Sequence, residues 1–176
     1  MKALSIRRAT PADADVIAAF NAALAVESEA RRLDARVVAS GVRRLLSDPT
    51  LGVYYVAECG GSVVGQLLIT FEFSDWRDGM FWWIQSVYVL PDQRRHGVYR
   101  ALHEHVAGAA RRDGRVCGLR LYVDRRNARA QEVYRRLGLE PAGYELYEID
   151  WRAPAAAAER DAPPWQGGDR GGLSRP

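Results

Sequence analysis

A short basic loop between a predicted strand and a predicted helix carries the residues whose chemistry is most readily assigned. Residues 84–90 are rich in β-branched and aromatic side chains, which is typical of a strand, and Pro91 should end it because proline cannot donate a ladder hydrogen bond. From Gly97 onward apolar residues recur at helical spacing. Arg94 and Arg95 therefore lie next to a helix N-terminus, where unpaired amides and the positive end of the helix dipole favour an anion. The segment predicts a pyrophosphate site, unless its arginines are simply solvated and the glycine only eases a turn.

A second stretch places an asparagine and a tyrosine after a later strand. Residues 119–123 have the composition of a strand, Asn127 begins a short predicted helix, and Gly138 ends it. Tyr134 lies within that helix. Taken separately, Asn127 could serve only as the helix N-cap, and Tyr134 could be a core aromatic residue with its hydroxyl in water.

Taken together and in this order, the two stretches resemble the acetyl-CoA-binding segments of the GNAT acetyltransferases. The first stretch reads Val87-Tyr88-Val89-x-Pro91-x-x-Arg94-x-x-Gly97-Val98, followed by Arg100-Ala101-Leu102. The second reads Asn127 and Tyr134, followed by Leu137-Gly138-Leu139. The likeness extends over residues 4–151. It departs at Tyr99, where the family has glycine or alanine, and at Leu139, which replaces a phenylalanine.

The resemblance implies that acetyl-CoA is the acyl donor and that backbone N–H groups of the loop hold its pyrophosphate. It also implies that Asn127 bonds the cofactor arm and that the Tyr134 hydroxyl lies near the sulfur. Tyr134 is thus the candidate catalytic acid for the leaving thiolate, and a backbone N–H on the strand of Val87 and Val89 is the candidate donor to the acyl carbonyl. The cofactor-binding residues implied in this way are Val87, Tyr88, Val89, Arg94, Arg95, His96, Gly97, Val98, Tyr99, Arg100 and Asn127.

The general base and the acceptor site are less well defined. Many members of the resembled family place a glutamate on the fourth strand, but residues 82–85 here are two tryptophans, an isoleucine and a glutamine. Glu72 on the preceding strand is the candidate catalytic base, acting directly or through water, and a water chain without a single base is the alternative. Glu27 and Glu29 fall in the region that forms one wall of the acceptor site in the family. They are candidates to attract a cationic amine, unless they lie on a solvated helix end.

The pattern of elements and the resemblance together predict an α/β (α+β) fold. We expect a GNAT-like, mixed and mostly antiparallel central sheet flanked by helices, in the order β-α-α-β-β-β-α-β-α-β. The last strand in this order covers residues 144–151. Residues 1–152 are expected to form the acetyltransferase domain, and residues 153–176, rich in alanine, proline and glycine, a flexible tail.

Composition and spacing argue against several other kinds of partner. The chain has 25 basic and 22 acidic side chains, and its arginines are spread along helix faces and loops, so we expect no nucleic-acid binding. Cys59 and Cys117 are far apart, and His103 and His105 lack the spacing of a helical metal motif, so we expect no metal. No signal peptide opens the chain, and no apolar run approaches the ~20 residues that span a bilayer. We therefore expect a cytoplasmic protein without membrane contact.

The leading hypothesis is an N-acetyltransferase that moves an acetyl group from acetyl-CoA to a primary amine by direct attack. The acceptor is a small molecule or a peptide that the sequence does not identify, and the resemblance suggests that the chain could form a homodimer. The alternative is a non-catalytic acyl-CoA-binding sensor or regulatory module, which Tyr99 and the missing strand-four glutamate both favour. A structural domain whose basic loop contacts an acidic protein is a third hypothesis.

Overall fold

The computed structural model describes residues 3–151. The predicted tail at 153–176 lies outside the described residues. The chain divides into two units after Glu140, and residues 3–140 and 141–151 are therefore described separately.

A five-stranded sheet in the spatial order β1-β2-β3-β4-β5 forms the centre of the first unit. Its strands are β1 Leu4–Arg8, β2 Val53–Cys59, β3 Ser62–Ser74, β4 Gly79–Val89 and β5 Val116–Leu121. Neighbouring strands from β1 to β4 are antiparallel, whereas β4 and β5 are parallel. The sheet is therefore mixed and mostly antiparallel, which confirms the predicted fold class.

Helices pack on both faces of this sheet. Those in residues 3–140 are α1 Ala14–Glu29, α2 Ala35–Ser47, α3 Val98–Arg112 and α4 Ala128–Arg136. Because successive side chains of a strand point to opposite faces, each strand contributes to two cores. One core joins α1 and α2 to the strand residues Tyr54, Val56 and Leu68. The other joins α3 to Tyr55, Leu67, Ile69 and Ile84.

A buried carboxylate fixes the start of α1 against β1. Asp13 is 6% exposed and accepts hydrogen bonds from the backbone N–H and the hydroxyl of Thr10. Arg7, on β1, donates to both of its oxygens, at 2.8 and 2.9 Å. These bonds, those from Arg7 first, lower the pKa of Asp13 to about 2. The carboxylate is therefore charged and paired at neutral pH.

The predicted strand at residues 144–151 is wrong. Within the second unit, the described residues 141–151 contain no helix or strand. The large apolar side chains of this segment are exposed, namely Tyr144, Leu146, Tyr147, Ile149 and Trp151. An alternating pattern suits a sheet, but a strand forms only where a neighbour pairs its N–H and C=O groups. The sequence pattern does not show whether such a neighbour is available.

Candidate functional site

The parallel pairing between β4 and β5 ends partway along β4. Their pairing runs from Met80 opposite Val116 to Ile84 opposite Leu121, where β5 ends. Among the described residues, 85–89 of β4 therefore have no strand partner on that side, although the Val89 carbonyl accepts a side-chain hydrogen bond from Arg94. Free N–H and C=O groups at such an edge can bond an extended, amide-bearing ligand as they would an added strand. We call this unpaired edge of β4, residues 85–89, the opening.

A β-bulge lies in β4 within the opening. Ser86 and Val87 of β4 together face the single residue Leu67 of β3. Ser86 has a φ of 46°, in the left-handed region that a serine rarely adopts. Because a bulge leaves an extra residue outside the ladder and bends the strand, the backbone near Val87 is released from regular pairing.

A chain of buried polar side chains connects α1 to this bulge. Gln66 of β3 is fully buried, and its Nε2 donates to the Ser86 carbonyl at 3.2 Å and to Oδ1 of Asn21 at 2.6 Å. Asn21, on α1, donates in turn to the Tyr54 hydroxyl at 2.9 Å. Burial raises the pKa of Tyr54, so this hydroxyl stays protonated. This connection between Tyr54, Asn21 and Gln66 was not predicted from the sequence, although a glutamine within the apolar run at 63–69 was the available signal.

The loop after β4 brings the N-terminus of α3 to the same end of the strand. A short 3-10 turn at Pro91–Gln93 follows β4, and α3 begins at Val98 with Gly97 as its N-cap. No side chain caps the first turn of α3, so its amides are available to an anion. Arg95 and Gly97 have φ values of 70° and 80°. A left-handed conformation is strained for a residue such as Arg95, and such strain is concentrated at ligand-binding turns.

Arg94 bonds back to the sheet and to α1. Its Nε donates to the Val89 carbonyl at 2.9 Å, and its Nη2 forms an ion pair with Glu27 at 2.6 Å. The Tyr88 hydroxyl donates to the same carboxylate at 2.8 Å. Hydrogen bonding by Arg94 lowers the pKa of Glu27. Glu27 therefore joins α1 to β4 and the loop, whereas Glu29 is exposed at the end of α1.

Asn127 and Tyr134 belong to α4. Oδ1 of Asn127 accepts from the Ala130 N–H at 3.0 Å, which makes this residue the N-cap of α4 and leaves its Nδ2 able to donate to a ligand. The Tyr134 side chain is half-buried, and its hydroxyl has no hydrogen-bond partner among residues 3–151. Burial raises the pKa of Tyr134, so the phenol keeps its proton at neutral pH.

Tyr99, which departs from the resembled pattern, directs its ring toward α4. The ring meets that of Tyr134 edge-on, with centroids 6.0 Å apart and planes at 71°. It also packs against the core beneath α3. The Tyr99 amide thus stays in the first turn of α3 while its side chain packs elsewhere. Its hydroxyl is buried without a hydrogen-bond partner in the described part of the chain, and burial raises its pKa.

Glu72 lies before the opening, where β4 and β5 are still paired. It is opposite Phe81, which precedes the last paired residue, Ile84. Its carboxylate accepts a hydrogen bond from Nε1 of Trp83 and forms an ion pair with Arg120 of β5 at 2.6 Å. Each donor occupies one lone pair of one carboxylate oxygen, so both oxygens of Glu72 are already engaged within the protein. The strand register determines this position, and a local sequence pattern does not specify the register.

Other features of the described residues do not form a competing site. A cavity of 660 Å³ lies at the other end of β4 and is lined by Phe71, Met80 and Trp82, among others, but by none of the predicted site residues. Within residues 3–151 no group of three or more His, Cys, Asp or Glu side chains is placed to hold a metal ion. No helix in the same range has the length and apolar character needed to cross a membrane.

Comparison with known proteins gives the family to which this domain belongs. Residues 18–139 match the model of the acetyltransferase (GNAT) family. The chain therefore belongs to the acetyltransferase (GNAT) family, which confirms the resemblance stated from the sequence. The family uses acetyl-CoA and acts on small-molecule or peptide acceptors. No curated protein matches the chain.

Solved structures share the fold over almost their whole length. A possible acetyltransferase from Clostridium difficile 630 has 40% sequence identity and a TM-score of 0.80, with 84% of this chain and 97% of that chain covered. A ribosomal-protein-alanine N-acetyltransferase from Brucella melitensis biovar Abortus 2308 has 21% identity and a TM-score of 0.69, with 85% and 99% covered. A predicted acetyltransferase with acetyl-CoA from Clostridium acetobutylicum has 15% identity and a TM-score of 0.68, with 84% and 96% covered. At these identities, the likeness to the last two structures shows the fold alone.

Proposed function

We propose that the protein is an N-acetyltransferase that moves an acetyl group from acetyl-CoA to a primary amine of a small molecule or peptide by direct attack. The observation that carries the proposal is the opening of the sheet after Ile84. A bulge, an uncapped helix N-terminus and a tyrosine without a hydrogen-bond partner in the described residues accompany it. Each of these features can meet one requirement of acyl transfer from a thioester.

The donor would bind in two parts. Its amide-bearing arm would lie along the free edge of β4 as an added strand does, beside Val87, Tyr88 and Val89, with Nδ2 of Asn127 as a further donor. Its pyrophosphate would meet the start of α3, where amides and the helix dipole favour an anion. The residues proposed there are Arg95, His96, Gly97, Val98, Tyr99 and Arg100, and Arg94 would support them by fixing the loop to Glu27 and Val89.

The chemical step would be the attack of a neutral amine on the acetyl carbonyl. Negative charge would develop on the carbonyl oxygen, where a backbone N–H near Val87 would stabilise it. The carbon–sulfur bond would then break, the Tyr134 hydroxyl would donate its proton to the departing sulfur, and the proton that the attacking nitrogen still has to lose would return to the Tyr134 oxygen through water. Because burial keeps Tyr134 protonated, that proton is present when the sulfur leaves. With both reactants held together, no covalent enzyme intermediate is needed.

The amine must lose its proton before it attacks, and two routes lead to the neutral form. Glu72 could take the proton, directly or through water, but its carboxylate already accepts bonds from Trp83 and Arg120. A water chain needs no such side chain, and we favour it for that reason. Of the two glutamates proposed for the acceptor site, the exposed Glu29 would draw the cationic amine toward the wall formed by α1, whereas the charge of Glu27 is already paired with Arg94.

An acyl-CoA-binding sensor or regulatory module is the second candidate. The observation that favours it is the engaged carboxylate of Glu72, because no other glutamate lies on β3 or β4. A sensor would bind acetyl-CoA without transferring its acetyl group to any amine.

Thiol release from acetyl-CoA across a panel of primary amines separates the two candidates. The variants are Tyr134→Phe and Tyr147→Phe, and the second is the matched control because it removes the same hydroxyl from an exposed tyrosine. Since a positioned acid contributes roughly 10²–10⁴-fold, we expect Tyr134→Phe to slow the reaction by about 100-fold and Tyr147→Phe to leave it unchanged. Acetyl-CoA binding without amine-dependent thiol release in the parent protein would contradict the enzyme and support the sensor.

A further inference from the structure

Gln66 is an unfavourable residue to bury at its place in the sheet. It lies fully buried between Gly65 and Leu67, and its Oε1 has no hydrogen-bond partner among the described residues. A buried polar atom without a partner destabilises a fold, and an apolar side chain of similar size would avoid this. Core stability therefore does not account for a glutamine here. The amide instead supplies the two hydrogen bonds made by its Nε2.

One of these bonds fixes the direction of a backbone N–H in the bulge. Nε2 of Gln66 donates to the Ser86 carbonyl at 3.2 Å. The Ser86 carbonyl and the Val87 N–H belong to one planar trans peptide unit and point in opposite directions. A bond that holds the oxygen therefore also holds the direction of the N–H. Because Ser86 is in the strained left-handed region, this peptide unit needs such a contact to keep its orientation.

Helix α1 holds Gln66 in the orientation that makes the hydrogen bond to the Ser86 carbonyl. Asn21 of α1 accepts the other hydrogen of Gln66 at 2.6 Å and donates to Tyr54. Further along α1, Glu27 accepts a hydrogen bond from Tyr88, the residue after Val87. Hydrogen bonds at two positions of α1, Asn21 and Glu27, thus connect this helix to the bulge and hold its orientation.

We propose that Gln66 is a positioning residue, which aims the Val87 N–H at the acyl oxygen of the donor through the Ser86 carbonyl. Asn21 holds Gln66 in the required orientation. This inference rests on the proposed acetyl transfer and adds to it the side chains that orient the oxyanion donor. Neither side chain touches the reacting atoms. Substitution should therefore weaken stabilisation of the acyl oxygen while leaving the anion site at α3 intact.

The first test compares Gln66→Leu with Val64→Ala. Val64 is a matched control because it is buried in the same strand but belongs to the core beneath α3. Since removal of an oxyanion donor costs about 10²–10³-fold and misalignment costs less, we expect Gln66→Leu to lower kcat by about 10- to 100-fold. The KM for acetyl-CoA should change by less than about twofold, because the lost interaction strengthens only in the transition state. Equal kcat values for the two variants would overturn the proposal.

Gln66→Glu adds a pH profile that a merely structural role would not change. A protonated carboxyl group can donate to the Ser86 carbonyl, whereas a carboxylate cannot, and burial raises the pKa of a carboxyl group. The ratio of variant to parent kcat should therefore be highest at low pH and fall as the pH rises. A ratio that is independent of pH would contradict the positioning role.

Proton–nitrogen NMR of the Val87 amide distinguishes failure of this inference from failure of the proposed function. In the parent, acetyl-CoA should shift the resonance more than CoA does, because only the acetyl group carries the oxygen that this N–H would meet. In Gln66→Leu, acetyl-CoA and CoA should shift the Val87 resonance equally. If Gln66→Leu does not fold, Asn21→Leu is used instead. A parent that binds neither ligand would refute the proposed function and the inference together. A difference that persists in the variant would refute the inference alone.

Discussion

Removing the hydroxyl of Tyr99 should stabilise the protein. This oxygen is buried without a hydrogen-bond partner among residues 3–151. Tyr99→Phe removes the unpaired polar atom and keeps the ring, which packs edge-on against Tyr134. The change therefore removes an unfavourable burial and leaves the apolar contacts in place.

The size of the effect follows from the desolvation of one polar atom. A buried donor or acceptor without a partner costs about 1–3 kcal/mol. The Tyr99 side chain as a whole is only half-buried, so the lower end of that range applies. We expect Tyr99→Phe to raise the free energy of unfolding by about 1 kcal/mol and Tm by about 3 °C.

Tyr54→Phe is the matched control, because the same atom is removed from a tyrosine that has a partner. Tyr54 is 4% exposed, and its hydroxyl accepts from Asn21 at 2.9 Å. Losing this oxygen leaves the amide donor of Asn21 unpaired. We therefore expect Tyr54→Phe to lower the free energy of unfolding by about 1–2 kcal/mol. Removing the same hydroxyl should thus raise the free energy of unfolding at position 99 and lower it at position 54.

Urea unfolding of the parent and both variants at neutral pH measures these differences, provided that the m-value is unchanged. Tyr99→Phe should also retain the acetyl-transfer rate, because the contact with Tyr134 involves the ring. A loss of about 1 kcal/mol or more in Tyr99→Phe would refute the reasoning, since it would mean that the hydroxyl is bonded in solution.

Three further substitutions test individual charged or polar groups. Hydrogen bonds from Arg7 hold the pKa of Asp13 at about 2, below its ordinary 3.8. The resulting stabilisation of about 2 kcal/mol is fully present when the pH is above the ordinary pKa of Asp13, and it is lost as the pH falls toward the lowered pKa. In urea unfolding, Asp13→Asn should therefore lower the free energy of unfolding far more at neutral pH than in acid. Burial, aided by the charge of Arg111, lowers the pKa of His103. As the pH falls below about 6.5, His103 therefore takes up a proton in the unfolded chain before it does so in the folded protein, and stability should decline. His103→Phe should flatten this part of a plot of Tm against pH. Glu72→Gln should slow acetyl transfer by less than about tenfold, whereas loss of a general base would cost roughly 10²–10⁴-fold and would identify Glu72 as that base.

The order of elements through α4 and the basic loop were predictable because they depend on local signals. β4 ends at Val89, shortly before Pro91, Gly97 is the N-cap of α3, and apolar spacing distinguishes strand from helix on either side. The same local signals place the backbone amide of Tyr99 in the first turn of α3. Only the packing shows that its ring meets α4.

The contacts that complete the candidate site join residues far apart in sequence, and no local pattern encodes them. Arg94 and Glu27 are separated by 67 positions and Gln66 and Ser86 by 20. The placement of Glu72 before the opening depends on the register of β3 against β4, which the bulge shifts. The missing strand at 144–151 has the same origin, since strand formation depends on a partner that the segment itself does not specify.

Thermal unfolding with and without saturating acetyl-CoA tests the central claim most directly, using the parent, Gly97→Glu and Gly61→Glu. The two glycines are matched, with φ values of 80° and 81° and nothing within 4 Å of an added Cβ, but only Gly97 adjoins the proposed pyrophosphate site. A ligand at about 100 times its Kd adds about 2.7 kcal/mol to the stability of the folded state. We predict a clear rise in Tm for the parent and for Gly61→Glu, and none for Gly97→Glu. No rise in a folded parent, or an equal rise in Gly97→Glu, would contradict the acetyl-CoA site.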